Sequence, residues 1–419
     1  MTINVTDAVG ANNTIVFDSN SKIPTFDGSL VTALSGSAFT TGTLATARID
    51  VGTGANQILQ LDANAKLPAL SATNLTNVPG PTVSTSDPAI DTNSTLGKKW
   101  VNKTSGEVYI CTDATAGENV WTNVGAGSGD VQPFHGWGSN YGYCMGGYAG
   151  GYTTEIEKFA FASSADATAV ADLTEARRDP AGSSSTTHGY AAGGSTGSNS
   201  NTIDKFQFAT DGDATDVGNL TASRTSACGQ SSETYSYASG SYIGNVIDKV
   251  SFSSDGDATD VGNLTVARGG AAGSNSSTYG YALSGEISGA VSDVTDKFSF
   301  SSDGDATDVG NITVGRTTGG QHSSTENGYK SGGYTGAHSD VIDKHSFSSD
   351  GDATDVGDLS QGMSYANGVS YLTHGYTFAG WTGSDIDYID RFSFSSGTQD
   401  GSDVGDLATA KRSPAGSQY

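Results

Sequence analysis

A chain of 419 residues leaves room for two to four domains, and its 58 glycines and long Ser, Thr, Asn and Asp stretches come with 35% hydrophobic residues spread evenly along the sequence, which excludes a disordered polymer. The formal charge of −25, from 45 acidic against 20 basic side chains, repels phosphate backbones and anionic membranes and so excludes nucleic acid and membrane as partners. Cys111, Cys144 and Cys228 are odd in number and far apart, which speaks against a disulfide framework.

Residues 1–7 lack the basic and apolar regions of a secretory signal, and no apolar run is long enough to cross a bilayer, so the chain is expected to fold in the cytoplasm. Within residues 1–85, Gly10-Ala11-Asn12 through Ile23-Pro24 matches Gly54-Ala55-Asn56 through Leu67-Pro68 without a gap. Each copy reads as a short strand, an Asp-x-Asn turn, a Lys and an Ile-Pro or Leu-Pro exit. So few apolar residues cannot hold one copy folded, and the expectation is a stalk that gains its burial by association of several chains, as a trimer. Residues 86–124, with Trp100-Val101, Val108-Tyr109-Ile110-Cys111 and a closing Trp121, predict a small β-hairpin module. Its two Trp form the core or, alternatively, stack on sugar rings. Gly125-Ala126-Gly127-Ser128-Gly129 belongs to a flexible linker, 125–132.

From 133 to 419 one unit recurs six times. Its first mark is Tyr143, Tyr190, Tyr237, Tyr281, Tyr329 or Tyr376, each followed by small residues and spaced 44 to 48 residues apart. An alternating segment follows, as in Ile203-Asp204-Lys205-Phe206-Gln207-Phe208, which is a strand buried on one face. Next comes Asp211-Gly212-Asp213-Ala214-Thr215-Asp216-Val217-Gly218, repeated letter for letter at 255–262, 303–310 and 350–357, where Asp-Gly pairs mark tight reversals. A short apolar segment ends in Leu173, Leu220, Leu264, Ile312, Leu359 or Leu407, and four residues later stands Arg177, Arg224, Arg268, Arg316, Met363 or Lys411. Each unit supplies four short strands and no helix signal, which predicts an all-β fold, a six-bladed β-propeller preceded by β-rich stalk and hairpin modules. Ser413-Pro414-Ala415-Gly416-Ser417 matches Asp179-Pro180-Ala181-Gly182-Ser183 but lacks the Tyr strand that should follow. That strand stands at the other end, at 141–147, so the ring is expected to close by pairing 413–419 with it.

The Gly-Gly after an aromatic strand, the alternating strand ending in Phe and the Arg opening the next unit resemble the kelch family of propellers. Val-Gly-Asn-Leu stands where kelch units carry a Trp, so the resemblance bears on architecture rather than descent. At the N-terminus, Leu61-Asp62-Ala63-Asn64-Ala65-Lys66-Leu67-Pro68-Ala69-Leu70 and then Asn74-Leu75-Thr76-Asn77-Val78-Pro79 resemble the stalk segments of tailed-phage fibre proteins, over about forty residues. The 86–124 module is similar to small modules of such fibres and to small chitin-binding domains. The resemblance implies a virion protein, made in the host cytoplasm: a tail fibre or receptor-binding subunit that meets other virion proteins through its N-terminus and a host receptor or glycan through its propeller. A head fibre or capsid decoration protein has the same parts, and a polysaccharide-degrading fibre is the third reading.

The residues themselves argue against an enzyme. Glycoside hydrolysis needs two carboxylates in one asymmetric site, whereas nearly every Asp here recurs from unit to unit and so serves the unit. Asp211, Asp213, Thr215 and Asp216 offer oxygen ligands at close spacing, but the sixth-position Gly and twelfth-position Glu of an EF-hand are missing, and Asx turns account for the same letters. No cofactor is expected, and Asp211, Asp213 and Asp216 stand as candidate calcium ligands only. No His-Asp-Ser order or paired Cys-His spacing occurs. The unshared residues then carry identity. Five residues after each unit Tyr stand Tyr148, Ser195, Tyr242, Glu286, Tyr334 and Trp381, and the four aromatics among them are the candidate ligand-binding rim. The alternative is that these rings pack across blade interfaces.

Overall fold

The computed structural model describes residues 2–6, 12–16, 80–124, 138, 140–395 and 399–418, and the described residues form strands and turns without a helix. Contacts divide the chain into Met1–Gly80 and Pro81–Tyr419. In the first unit Thr2–Thr6 and Asn12–Val16 pair as an antiparallel hairpin. The second copy of the N-terminal repeat and the linker at 125–132 lie outside the described residues, as does Tyr419.

Residues 82–123 form a four-stranded sheet rather than a hairpin. Thr82–Ser84 adds a parallel strand beside Lys99–Asn102, which continues antiparallel to Val108–Asp113 and Val120–Asn123. Three residues are too few to leave an alternation in the sequence. Tyr109, Cys111 and Trp121 make the core, and Trp100 meets Trp121 edge-on at 5.8 Å while its Nε1 donates to Ser86 O.

Residues 141–418 build six four-stranded antiparallel sheets. In one of them Ala181–Ser184, His188–Ala192, Thr202–Gln207 and Thr215–Asn219 follow in order, and the others repeat this pattern. The six first strands, Ala181–Ser184, Cys228–Ser231, Ala272–Asn275, Gly320–Ser323, Asn367–Ser370 and Ala415–Gln418, touch one another in turn and the last meets the first, a propeller-like arrangement about an axis. Ala415–Gln418 pairs with Tyr141–Met145, with Ser417 opposite Tyr143, so one sheet is assembled from both ends of this region.

Neighbouring sheets meet through the residues that define the repeat. The unit Tyr of each sheet packs on a Phe of the next: Tyr143 on Phe208, Tyr190 on Phe252, Tyr237 on Phe300, Tyr281 on Phe347, Tyr329 on Phe394 and Tyr376 on Phe161, with ring centroids 4.7 to 5.1 Å apart. Such pairs add about 0.5–1.5 kcal/mol each beyond their area burial. The recurring cation is buried against an acid one sheet along the chain: Arg177 with Asp204 (2.6 Å), Arg224 with Asp248 (2.6 Å), Arg268 with Asp296 (3.1 Å), Arg316 with Asp343 (2.8 Å) and Lys411 with Glu157 (2.6 Å). At the remaining boundary Met363 replaces the cation. Asp390 there accepts from Ser360 N and Oγ, and its burial pushes its carboxyl pKa up.

Near the axis two rings of hydrogen bonds run in opposite senses. In one, Asp179 N donates to Ser413 O, Ser226 N to Asp179 O, Gly270 N to Ser226 O, Thr318 N to Gly270 O and Ser413 N to Tyr365 O, and Tyr365 N closes the circle on Thr318 Oγ1. All six residues hold a left-handed φ of 51 to 64°. In the other, the fourth residue of each first strand donates its N–H to the side chain of its counterpart in the next sheet: Ser184 to Ser231, Ser231 to Asn275, Asn275 to Ser323, Ser323 to Ser370, Ser370 to Gln418 and Gln418 to Ser184. Between the rings the second residues of these strands are Gly182, Gly229, Gly273, Gln321, Gly368 and Gly416. The glycines let the strands approach so closely that a methyl on Gly229 would collide with the Gly182 carbonyl.

Candidate functional site

Two small depressions of about 40 and 30 Å³ lie among the first strands. The larger depression, about 420 Å³, lies at the end where the second-to-third-strand loops gather, and Arg178, Asp179, Ser195, Thr225, Ser226, Tyr242, Tyr365, Trp381 and Arg412 line it. The chain enters these sheets at the opposite end, where Gly138 N donates to Ser370 O and Gly138 bridges Tyr371 in a first-to-second-strand turn.

Local geometry explains why the rim residues fall where they do. In five of the six sheets the second strand leaves through a loop whose fifth residue after the unit Tyr bridges the residue following the interface position. Tyr148 thus exchanges backbone bonds with Arg412, Ser195 with Arg178, Glu286 with Gly269, Tyr334 with Thr317 and Trp381 with Ser364. In the remaining sheet Tyr242 and Ile243 form a two-residue turn between paired Ser241 and Gly244.

Two of the four predicted rim aromatics, Tyr242 and Trp381, line the depression, and Tyr148 reaches it through the arginines it contacts. Tyr242, 43% exposed, leans one face on Gly269 of the next sheet, where a methyl would come within 2.7 Å of the ring, and burial of that face pushes its phenol pKa up. Trp381 and Tyr148 flank the Arg412 guanidinium, 4.4 and 4.7 Å from their centroids, and Asp385 accepts from Arg412 Nη1 at 2.7 Å. Tyr152 meets Tyr148 edge-on at 5.7 Å. Tyr334, 38% exposed, lies beside His338 and outside the lining. Tyr148, Tyr242 and Trp381 are thus partly buried against neighbouring groups and partly exposed.

Sequence reasoning missed Arg178, Asp179, Tyr365 and Arg412. Their signal was available one residue downstream of the recurring cation, where Arg178, Thr225, Gly269, Thr317, Ser364 and Arg412 stand, and two residues downstream, where Tyr365 replaces Asp179, Ser226, Gly270, Thr318 and Ser413. Asp179 lies between the two arginines, with Arg178 Nε 3.4 Å from its carboxylate, and its burial pushes its pKa up. A bulky residue in the left-handed region at Tyr365 (φ 55°) is a costly conformation held at this site.

The three candidate calcium ligands point to separate partners. Asp211 pairs with Lys158 at 2.8 Å, Asp213 accepts from Asp172 N of the preceding sheet, and Asp216 accepts from Gly218 N. Among the described residues no group of three or more His, Cys, Asp or Glu side chains is placed to hold a metal ion. The repeated Asp-rich turn is instead a clasp. Asp257, Asp305, Asp352, Asp400 and Asp166 take the place of Asp213 at the other boundaries, accepting from Asn219, Asn263, Asn311, Asp358 and Asp406. Lys205–Asp255, Lys249–Asp303 and Lys297–Asp350 repeat the Lys158–Asp211 bridge.

No family model matches the chain, and no curated protein matches it. Among solved structures, one described as "Structure of YjhT" is similar over 62% of this chain and 97% of that chain, at 13% sequence identity and a TM-score of 0.47.

Proposed function

We propose that this chain is a non-enzymatic virion fibre subunit whose six-bladed, kelch-type propeller binds a glycan on the host surface. The observation that carries this reading is the break in symmetry at the far end of the ring. The Tyr–Phe stacks and Asp clasps recur at all six sheet boundaries, whereas around one depression of about 420 Å³ the repeat positions diverge into Tyr148, Tyr242, Tyr365, Trp381, Arg178 and Arg412. Half-exposed aromatic rings beside Arg, Asp, Ser and Thr are the side chains that stack on sugar faces and bond hydroxyl groups. In this reading the N-terminal region trimerises and joins other virion proteins, and the subunit belongs to a tail fibre. Binding of the purified chain to host cells and to their extracted glycans tests the proposal. Tyr242→Ala with Trp381→Ala is expected to cut cell binding about tenfold or more with the melting temperature within a few degrees of wild type. Wild-type levels of binding in that variant would overturn the reading.

A further inference from the structure

Arginine is scarce on the far end of the ring and is concentrated at one point. Four of the chain's arginines, Arg177, Arg224, Arg268 and Arg316, are spent in buried pairs between sheets. Of the six equivalent positions just after the interface cation, two carry arginine, Arg412 and Arg178, and they belong to neighbouring sheets because ring closure places Ala415–Gln418 beside Ala181–Ser184. The guanidinium groups of both lie against Tyr148, 4.7 Å for Arg412 and 5.7 Å for Arg178, and both line the depression. Placing two like charges together in the open is unfavourable by itself, and the remaining four equivalents are the neutral Thr225, Gly269, Thr317 and Ser364.

Their local partners fix them without using them up. Asp385 holds one nitrogen of Arg412, while Tyr148 and Trp381 clamp the guanidinium plane. Asp179 approaches Arg178 only at 3.4 Å, through Nε. A guanidinium has five N–H donors in a fixed fork, so most donors on each group stay available for a planar or tetrahedral oxyanion. Burial of Asp179 also disfavours its charged form, which lowers the local cost of accepting an anion.

Resting on the glycan reading above, we propose that the depression selects saccharides bearing an anionic substituent, with the oxyanion held between Arg178 and Arg412 and the sugar face against Trp381 or Tyr242. Carboxylate, sulfate and phosphate esters share this chemistry. The test is a glycan array carrying uronate-, sulfate- and phosphate-bearing oligosaccharides beside their neutral parents, probed with the full chain and with Arg178→Gln and Arg412→Gln. The expected result is retention of one anionic class, with its neutral parent bound about ten- to hundredfold more weakly. Arg178→Gln, which leaves the Arg412 clamp intact, is expected to erase that preference at unchanged melting temperature, and retention is expected to fall as salt rises. Neutral parents bound as well as their anionic forms, or an undiminished preference in both variants, would overturn the anion site and leave glycan binding standing. No retention of any glycan, charged or neutral, would overturn both.

Discussion

Lys330 is fully buried, and its Nζ has no hydrogen-bond partner. Burial, helped by the nearby Arg316 charge, pushes its pKa down to about 7. The unfolded chain keeps that proton up to about 10.4. Between those values the unfolded state binds more protons than the folded one, so stability is expected to rise with pH across this window and the penalty to be fully present below 7. Lys330→Met is expected to remove that rise and to stabilise the protein by about 1–4 kcal/mol at pH 6, as read from urea melts at several pH values. Two buried histidines act on the acid side. His322 (pKa about 4) donates to or accepts from Val369 O, Ser331 Oγ and Thr377 Oγ1, and His345 (about 3) stands where other units place Phe159, Phe206, Phe298 and Phe392. Each titrates near 6.5 when unfolded and lower when folded, so stability is expected to fall as pH drops from about 6.5 toward 4. His345→Phe is expected to move the acid-unfolding midpoint to lower pH; an unmoved midpoint would show that this imidazole does not titrate with folding. Gly229→Ala, which drives a methyl into the Gly182 carbonyl, is expected to cost roughly 3 kcal/mol or more.

At the scale of the sheet, stability is a matter of boundaries. Each is held by a Tyr–Phe stack, by an Asp clasp and, at five of the six, by a buried cation–acid pair. The boundary with Met363 keeps the acid, Asp390, without the cation. Asp257→Ala removes a clasp acceptor from Asn219 N and Nδ2 on a half-exposed surface, and a loss of about 1 kcal/mol is expected in chemical melts. Most of these elements were legible in the sequence, because alternation in Ile203–Phe208, the small residues after Tyr190 and the Asp-Gly pair at 211–212 are local signals of strand and turn. The partners were not. That Asp213 answers to Asp172, or that Ser184 hands its N–H to Ser231, depends on which sheet lies next to which, and no local pattern encodes it. Thr82–Ser84 escaped for a different reason, being too short for any periodicity. The rim shows the same division: the aromatics at Tyr148, Tyr242 and Trp381 were found by aligning units, whereas Arg178 and Arg412 look unrelated until the ring brings the two ends of the repeat together.

For the molecule as a whole, the segment from Ser413 to Gln418 takes part in both axial rings. Ala415–Gln418 pairs with Tyr141–Met145, Ser413 just before it completes one hydrogen-bonded ring, and Gln418 completes the other. Removing the last seven residues is therefore expected to abolish the cooperative transition of the whole domain in calorimetry; an unchanged melting temperature would refute this. The same dependence sets a timetable for biosynthesis. Tyr141–Met145 emerges from the ribosome roughly 270 residues before its partner, a wait of roughly 15 to 50 s at ordinary elongation rates of about 5–20 residues per second. Throughout that interval an apolar edge is open to other nascent chains, and the matching segment from a neighbour fits it as well as the chain's own. Crowded polysomes should consequently yield some interlocked dimers in which two copies have exchanged their final segments.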